Sequence, residues 1–211
     1  MRATTTKSEP RWTRRKDARP EEITAAALGL FAERGYAATR LEDVAGRAGV
    51  SKGTVYLYFA NKEDLFKAVV REGIVSPLKE MRGIVEQFEG TTFELLRLLI
   101  MGWWDRVGST HLSAIPKVLI SEARNFPEIA RFYVEEVVGP GLETLGAIMR
   151  RGVARGEIRS VDPQVAGHLI FAPLLMIALW RNSLAACTPA QIDPLPLIEA
   201  HLEMLRRGLA P

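Results

Sequence analysis

Residues 20–65 are cut into four short stretches of helical periodicity by stops that a tightly turning chain needs. Pro20 with Glu21 and Glu22 suits a first helical turn. Proline there lacks only an amide that would be unpaired anyway, and carboxylates complement the positive end of the helix dipole. Ile23, Ala26, Ala27, Leu30 and Phe31 then recur at helical spacing, and Gly35 ends the run. Thr39 and Glu42, in "TRLE", have the spacing of a capping box. Leu41, Val44, Ala45 and Ala48 form an apolar stripe that stops at Gly49. Ser51 can cap a third, very short helix. Asn61 can cap a fourth, with Glu63 and Asp64 in its first turn and Leu65, Phe66 and Val69 on its inner face.

No stretch of the chain carries a convincing strand pattern, so the expected class is all-α, with about nine helices. The fourth helix is expected to run to Ser76. Pro77 should end or kink it, because proline has no amide to donate and clashes with the preceding turn. Longer segments follow at Pro77–Phe88, Thr92–Val107, Leu112–Arg124 and Pro127 to about Arg155. Asp162-Pro163 and Asp193-Pro194 each pair a cap with a proline at the first helical position, and open segments that end near Ala185 and Arg207.

The 211 residues divide unevenly in charge. Residues 1–60 hold 11 Lys and Arg against 7 Asp and Glu, whereas residues 61–211 hold 17 against 18. A positive head on a near-neutral body suits a nucleic-acid partner, and a solvated basic tail is the alternative. The division expected is a flexible basic arm over 1–18, a DNA-binding unit over 19–65 and a ligand-binding and dimerisation unit over 66–211. The arm carries Arg11, Arg14, Arg15 and Lys16 around Trp12. Cys187 is the single cysteine, so no disulfide can form within the chain, and the polar N-terminus has no apolar signal core. Both point to the cytoplasm. The longest apolar run, Leu169 to Trp180, contains Pro173 and is short for a bilayer, so a buried helix is expected and no membrane partner.

Leu41 to Phe59 reads as helix, three-residue turn with glycine, short helix, the outline of a helix-turn-helix. Each helical residue advances about 100°. Val55 and Phe59 therefore share the inward side, Gly53, Thr54 and Leu57 lie opposite, and Tyr56 and Tyr58 form two flanks. Such a surface suits a major groove. Gly53 permits close approach, Leu57 can touch a thymine methyl, and Lys52 can donate to a guanine edge. The tyrosines can reach phosphates, assisted by Lys62. Tyrosines at the rim of a protein core are the other reading of the same wheel.

The stretch "AALGLFAERGYAATRLEDVAGRAGVSKGTVYLYFANKEDLFKAVV" closely resembles the DNA-binding head of the tetracycline-repressor (TetR) family of bacterial transcription regulators. The features that carry the resemblance are Gly35-Tyr36 with Thr39, Val44-Ala45 with Ala48-Gly49-Val50-Ser51, Gly53-Thr54-Val55-Tyr56, Tyr58-Phe59 and Asn61-Lys62-Glu63-Leu65. The resemblance covers about Pro20 to Val70. It implies an all-helical homodimer whose heads bind a roughly palindromic double-stranded operator, released by a small effector. It assigns DNA-backbone contacts to Thr39, Tyr58 and Lys62. Base-side contacts fall to Lys52, Gly53, Thr54, Tyr56 and Leu57, with Arg40 close by.

In the C-terminal part, Asp162 to Ala185 is apolar almost all round and must be covered on more than one side. By the resemblance, Leu169, Ile170, Leu174 and Ile177, with Leu195, Ile198, Leu202 and Leu205 of the last helix, form a four-helix dimer interface. Packing within one subunit is the alternative. Trp103 and Trp104, with Phe126, Phe132, Phe171, Met176 and Trp180, are candidates to line an aromatic effector chamber. Glu122 and His168 are its candidate polar anchors. A solid core is the alternative for each of these residues. An enzyme carrying such a head is the competing class. The three histidines, His111, His168 and His201, lack metal-ligand spacing. A Gly-x-Ser-x-Gly elbow, a Walker loop and a dinucleotide fingerprint are absent from the sequence. No metal, cofactor or catalytic residue is expected. A nonspecific DNA-coating protein is the third reading.

Overall fold

The computed structural model describes residues 20–189 and 193–211, so the expected basic arm lies outside the described residues. Among them the chain is helical without strands. The α-helices are α1 (Pro20–Ala38), α2 (Leu41–Ala48), α3 (Lys52–Tyr58), α4 (Lys62–Val70), α5 (Ser76–Gln87), α6 (Thr92–Trp103), α7 (Ile115–Glu122), α8 (Pro127–Tyr133), α9 (Gly139–Ala154), α10 (Pro163–Asn182) and α11 (Pro194–Leu209). π turns join α4 to α5 and α8 to α9, which leaves nine helical rods among the described residues.

The four N-terminal helices form as their caps direct. Ser51 accepts the Thr54 amide at 3.1 Å, and Asn61 accepts the Asp64 amide at 2.8 Å. Gly49 ends α2 at φ 71°, a left-handed conformation that costs glycine no side-chain clash. The capping box at Thr39 and Glu42 does not form. Arg40 occupies the cap position of α2, and the Thr39 hydroxyl donates instead to the Gly35 carbonyl at 2.7 Å. The cause is Gly35 itself. Its φ of 83° breaks α1 one turn early, and Thr39 closes the gap that opens.

Pro77 neither ends the helix nor breaks it. The turn Arg71–Val75 widens to π geometry, and the Ser76 amide reaches back to the Arg71 carbonyl. The wide turn holds the following proline without a break in the rod. Pro140 is accommodated identically, by the π turn Val134–Val138 whose bond is closed by the Gly139 amide on the Val134 carbonyl. A third π turn, Trp104–Gly108, extends α6 and is closed by the Ser109 amide on Trp104 at 2.8 Å.

Two cores result. One joins α1–α4 to residues of α7 and α8, including Ile115, Leu119, Ile129 and Phe132. The other gathers α5, α6, α9, α10 and α11 around Leu95, Ile148, Met149, Ile170 and Ile198. The first core continues through α4 into the body, so the two parts of the chain share packed side chains. α10 packs chiefly along α9, with α7 and α11 also against it. By length and composition α10 could cross a membrane, but α9, α7 and α11 cover it on several sides within the subunit and leave an exposed apolar stripe.

Val55 and Phe59 are both buried, as the helical wheel requires. Truncating Phe59 leaves a cavity where α3 meets the head's core. Phe59→Ala should therefore lower stability by about 3–5 kcal/mol. Chemical denaturation followed by circular dichroism checks this, and an unchanged midpoint would reverse the assignment of the helix faces.

Candidate functional site

The outward face of α3 is formed by Lys52, Gly53, Tyr56, Leu57 and Tyr58, with Arg40 exposed beside it. Leu57 is 77% exposed, and with Tyr56 and Tyr58 exposed beside it the face presents a contiguous apolar patch. A Cβ on Gly53 would find only the Ser51 hydroxyl, at 3.7 Å, so nothing within the protein requires glycine there. Lys52 forms an ion pair with Glu42, and its ammonium stands 5.6 Å from the Tyr56 ring centre. The pair holds the Glu42 carboxyl below its usual pKa and raises that of Lys52. Both partners are solvated, so a stronger acceptor can displace Glu42 at little cost.

Three of the expected DNA contacts are placed differently. Thr39 is 1% exposed, with its hydroxyl held by Gly35. Thr54 is half-buried, and its hydroxyl hydrogen-bonds with that of Ser51 at 2.8 Å. Lys62 is half-buried and turned toward α1, where Nζ donates to the carbonyls of Tyr36 at 2.7 Å and Ala37 at 3.1 Å. A cation suits the carbonyl-rich end of a helix. Burial lowers the Lys62 pKa, with the Glu122 carboxylate acting in the opposite direction. These three side chains build the head, and the outward set surrounds them.

The second feature is a cavity of about 550 Å³ bordered by α5–α10 and partly open to solvent. Its wall is almost wholly apolar. Each of the three π turns contributes to it: Ile74 from the first, Arg106 and Val107 from the second, and Val134, Val137 and Val138 from the third. π turns inside helices are rare and recur at functional sites. Trp103 lines the cavity and meets Phe171 edge-on, with ring centres 5.2 Å apart. His168 also borders it, with Nδ1 hydrogen-bonded to the Gln164 carbonyl at 2.8 Å.

The other expected lining residues stand elsewhere. Trp104 is buried in the second core, and the Arg181 guanidinium lies 5.2 Å from its ring centre. Trp103 and Trp104 are adjacent in the chain, so helical geometry turns them about 100° apart and to different sides. Phe126 packs edge-on to Tyr36, 4.8 Å away. Glu122 turns to the head, where Oε1 accepts the Ala37 amide at 3.2 Å. Burial pushes the Tyr36 phenol there up to about 12. Phe132 lies in the first core under Arg71 and Lys67, and Trp180 is half-buried off the cavity wall. Met176 is 61% exposed. Among the polar lining residues that the sequence did not single out, with Arg106 and Thr144, is Tyr133, next to Phe132 and on the cavity side of α8. Only the helical phase between the two aromatics distinguishes them, and Ala130 and Val137 at i−3 and i+4 carry the phase of Tyr133.

The expected dimer residues also divide. Ile170, Leu174, Ile177 and Ile198 are buried within the subunit, and Leu202 and Leu205 are half-buried against the second core. Leu169 is 63% exposed and Leu195 is exposed. The uncovered stripe runs through Val165, Leu169 and Met176 of α10 and Leu197 and Met204 of α11. No group of His, Cys, Asp or Glu among the described residues could hold a metal ion.

Residues 23–69 match bacterial regulatory proteins of the tetR family, and residues 89–195 match the tetracyclin repressor-like C-terminal domain. The fatty acid metabolism regulator protein of Bacillus subtilis (strain 168) is 31% identical over 198 residues, spanning 92% of this chain and 98% of that protein. The crystal structure of the B. subtilis transcriptional regulator FadR in complex with stearoyl-CoA superposes with a TM-score of 0.72 at 24% identity, over 90% of this chain and all of that one. The ketosteroid transcriptional regulator KstR2 of Mycobacterium tuberculosis does so with a TM-score of 0.70 at 22% identity, over 95% of this chain and 100% of that one. With its head and body both matched, and a relative aligned over nearly its full length, this chain belongs to the TetR family of bacterial transcription regulators.

Proposed function

We propose that the protein is a homodimeric repressor released from a palindromic DNA operator when a long apolar molecule of the fatty-acyl type enters the cavity. The cavity carries this reading. About 550 Å³ lies within the range of small-molecule sites, and its wall offers little to a polar ligand. The likeness to a fatty acid metabolism regulator supports the acyl class. In this reading residues 20–65 bind DNA, residues 66–211 sense the effector and dimerise, and the protein works in the cytoplasm without a cofactor. Arg40, Lys52, Gly53, Tyr56, Leu57 and Tyr58 meet the operator, and the exposed stripe of α10 and α11 meets its copy. A two-fold axis there would set the heads about 34 Å, or a multiple of it, apart along the DNA.

The route from cavity to head is short. The α4–α5 rod holds the head at Lys62 and borders the cavity at Ile74, Pro77 and Met81. α7 borders it at Pro116, Leu119 and Ile120 and ends at Glu122, on the Ala37 amide. An effector that displaces either helix alters the head's position. Moving the protein from mostly bound to mostly released requires a preference of about 5.5 kcal/mol between the two states.

The test is selection of bound sequences from random DNA, followed by titration of the selected operator complex with acyl-coenzyme A thioesters. Recovery of one short two-fold site, released by thioester, is expected. Uniform DNA coverage would instead indicate a nonspecific binder. Among variants, Leu57→Ala should change the selected bases more than the overall affinity, and Tyr58→Phe should weaken all sites by a few fold. Gly53→Ala should leave the melting temperature unchanged or raised, since the site is open. It should still lower operator affinity at least tenfold, because the new methyl group stands where the groove floor must approach. The double variant Leu169→Glu with Met204→Glu should sediment as a monomer and lose operator binding at concentrations where the parent is saturated.

A further inference from the structure

Besides the indole N–H of Trp103, four polar side chains border the cavity: Arg106, Tyr133, Thr144 and His168. Three of them are engaged. The Thr144 hydroxyl donates to the Pro140 carbonyl at 2.8 Å. His168 is exposed at the rim, with Nδ1 on the Gln164 carbonyl. Arg106 is half solvent-exposed and donates to Glu80 at 3.2 Å. Tyr133 differs from all three. No hydrogen bond to its hydroxyl exists among the described residues. Its side chain is half-buried, and burial pushes its pKa well above the usual tyrosine value, so it stays protonated and able to donate. The ring packs on the first core while the residue keeps partial exposure, and the open space that it borders is the cavity.

The hydroxyl is not among the sealed, unpaired atoms of the described interior, so it is open rather than enclosed by the core, and an unpaired donor on an apolar cavity wall is left for a ligand to satisfy. We propose that Tyr133 is the polar anchor of the chamber, donating a hydrogen bond to a neutral carbonyl oxygen on an otherwise apolar effector. This rests on the reading of the cavity as the effector site and sharpens it. The wall selects an apolar body, and Tyr133 selects one acceptor at one depth along it. A carboxylate is disfavoured at that position. The bordering cation, Arg106, is at the solvent-exposed edge and already paired, so an anion drawn inside would be desolvated without compensation. The ligand class is therefore an ester, thioester or ketone with a long hydrocarbon part, ahead of a hydrocarbon or a free fatty acid.

Calorimetric titration of the full chain and of Tyr133→Phe with methyl laurate, n-tridecane and laurate tests this, with Trp103 fluorescence reporting entry into the cavity. In the parent protein, methyl laurate should bind about tenfold more tightly than the hydrocarbon. That equals about 1.4 kcal/mol, the size of one neutral hydrogen bond. In Tyr133→Phe the two should bind within about twofold of each other, and the melting temperature should not fall, since no protein partner is lost. Equal affinities in the parent, or no loss of ester preference in the variant, overturn the anchor while the chamber stands. A fall in melting temperature overturns it too, by giving the hydroxyl a structural role. If none of the three ligands perturbs Trp103, the effector reading of the cavity fails as well.

Discussion

Pro77 and Pro140 each stand within a rod that continues past them, and neither can supply the amide that the carbonyl four residues earlier would receive. An α-helix bears such a residue at a cost of about 3 kcal/mol. Here the preceding turn takes one extra residue, and the amides of Ser76 and Gly139 close the widened ring instead. The rods survive, and the bulging turns come to border one space between α5–α10. Ile74, Val134, Val137 and Val138 line it from these two turns alone. The cavity thus owes part of its wall to the hydrogen-bond accounting of two prolines.

The same rods carry the head. Lys62 caps the carbonyl end of α1 from the first turn of α4, and the rod reaches the cavity at its π turn. Glu122 makes a second attachment from α7 to the same short segment around Ala37. That segment is where Gly35 breaks α1, so the backbone there is held by side chains from two cavity-lining rods rather than by its own helix. A partner amide and two carbonyls within two residues give the body a grip on the head through polar contacts. The Tyr36–Phe66–Phe126 aromatic cluster fills the space behind them.

Helix boundaries were legible because they depend on local chemistry. Ser51, Asn61, Asp162 and Asp193 cap their own helices, with partners two or three residues away. The face of α3 was legible for the same reason. In a seven-residue helix, the buried positions Val55 and Phe59 fix the direction of every other side chain. The chamber was legible only in part. Trp103, Phe171 and His168 border it, but Trp104, Phe126, Met176 and Trp180 are aromatic or apolar residues with other neighbours. Composition cannot tell a wall from a core. The choice between Phe132 and Tyr133 turned on helical phase through a π turn that the sequence does not announce.

The sequence by itself determined the all-helical class, the caps at Ser51, Asn61, Asp162 and Asp193 and the outward face of α3, because each is set by residues within one or two turns of one another. Only the tertiary structure decided what Thr39, Lys62 and Glu122 do, since their partners lie at the broken end of α1 and, for Lys62 and Glu122, come from distant segments. It also decided which apolar residues of α10 and α11 are enclosed and which remain as an uncovered stripe. Periodicity marks a residue as apolar. Whether its surroundings are neighbouring helices, a cavity or solvent depends on how distant rods pack.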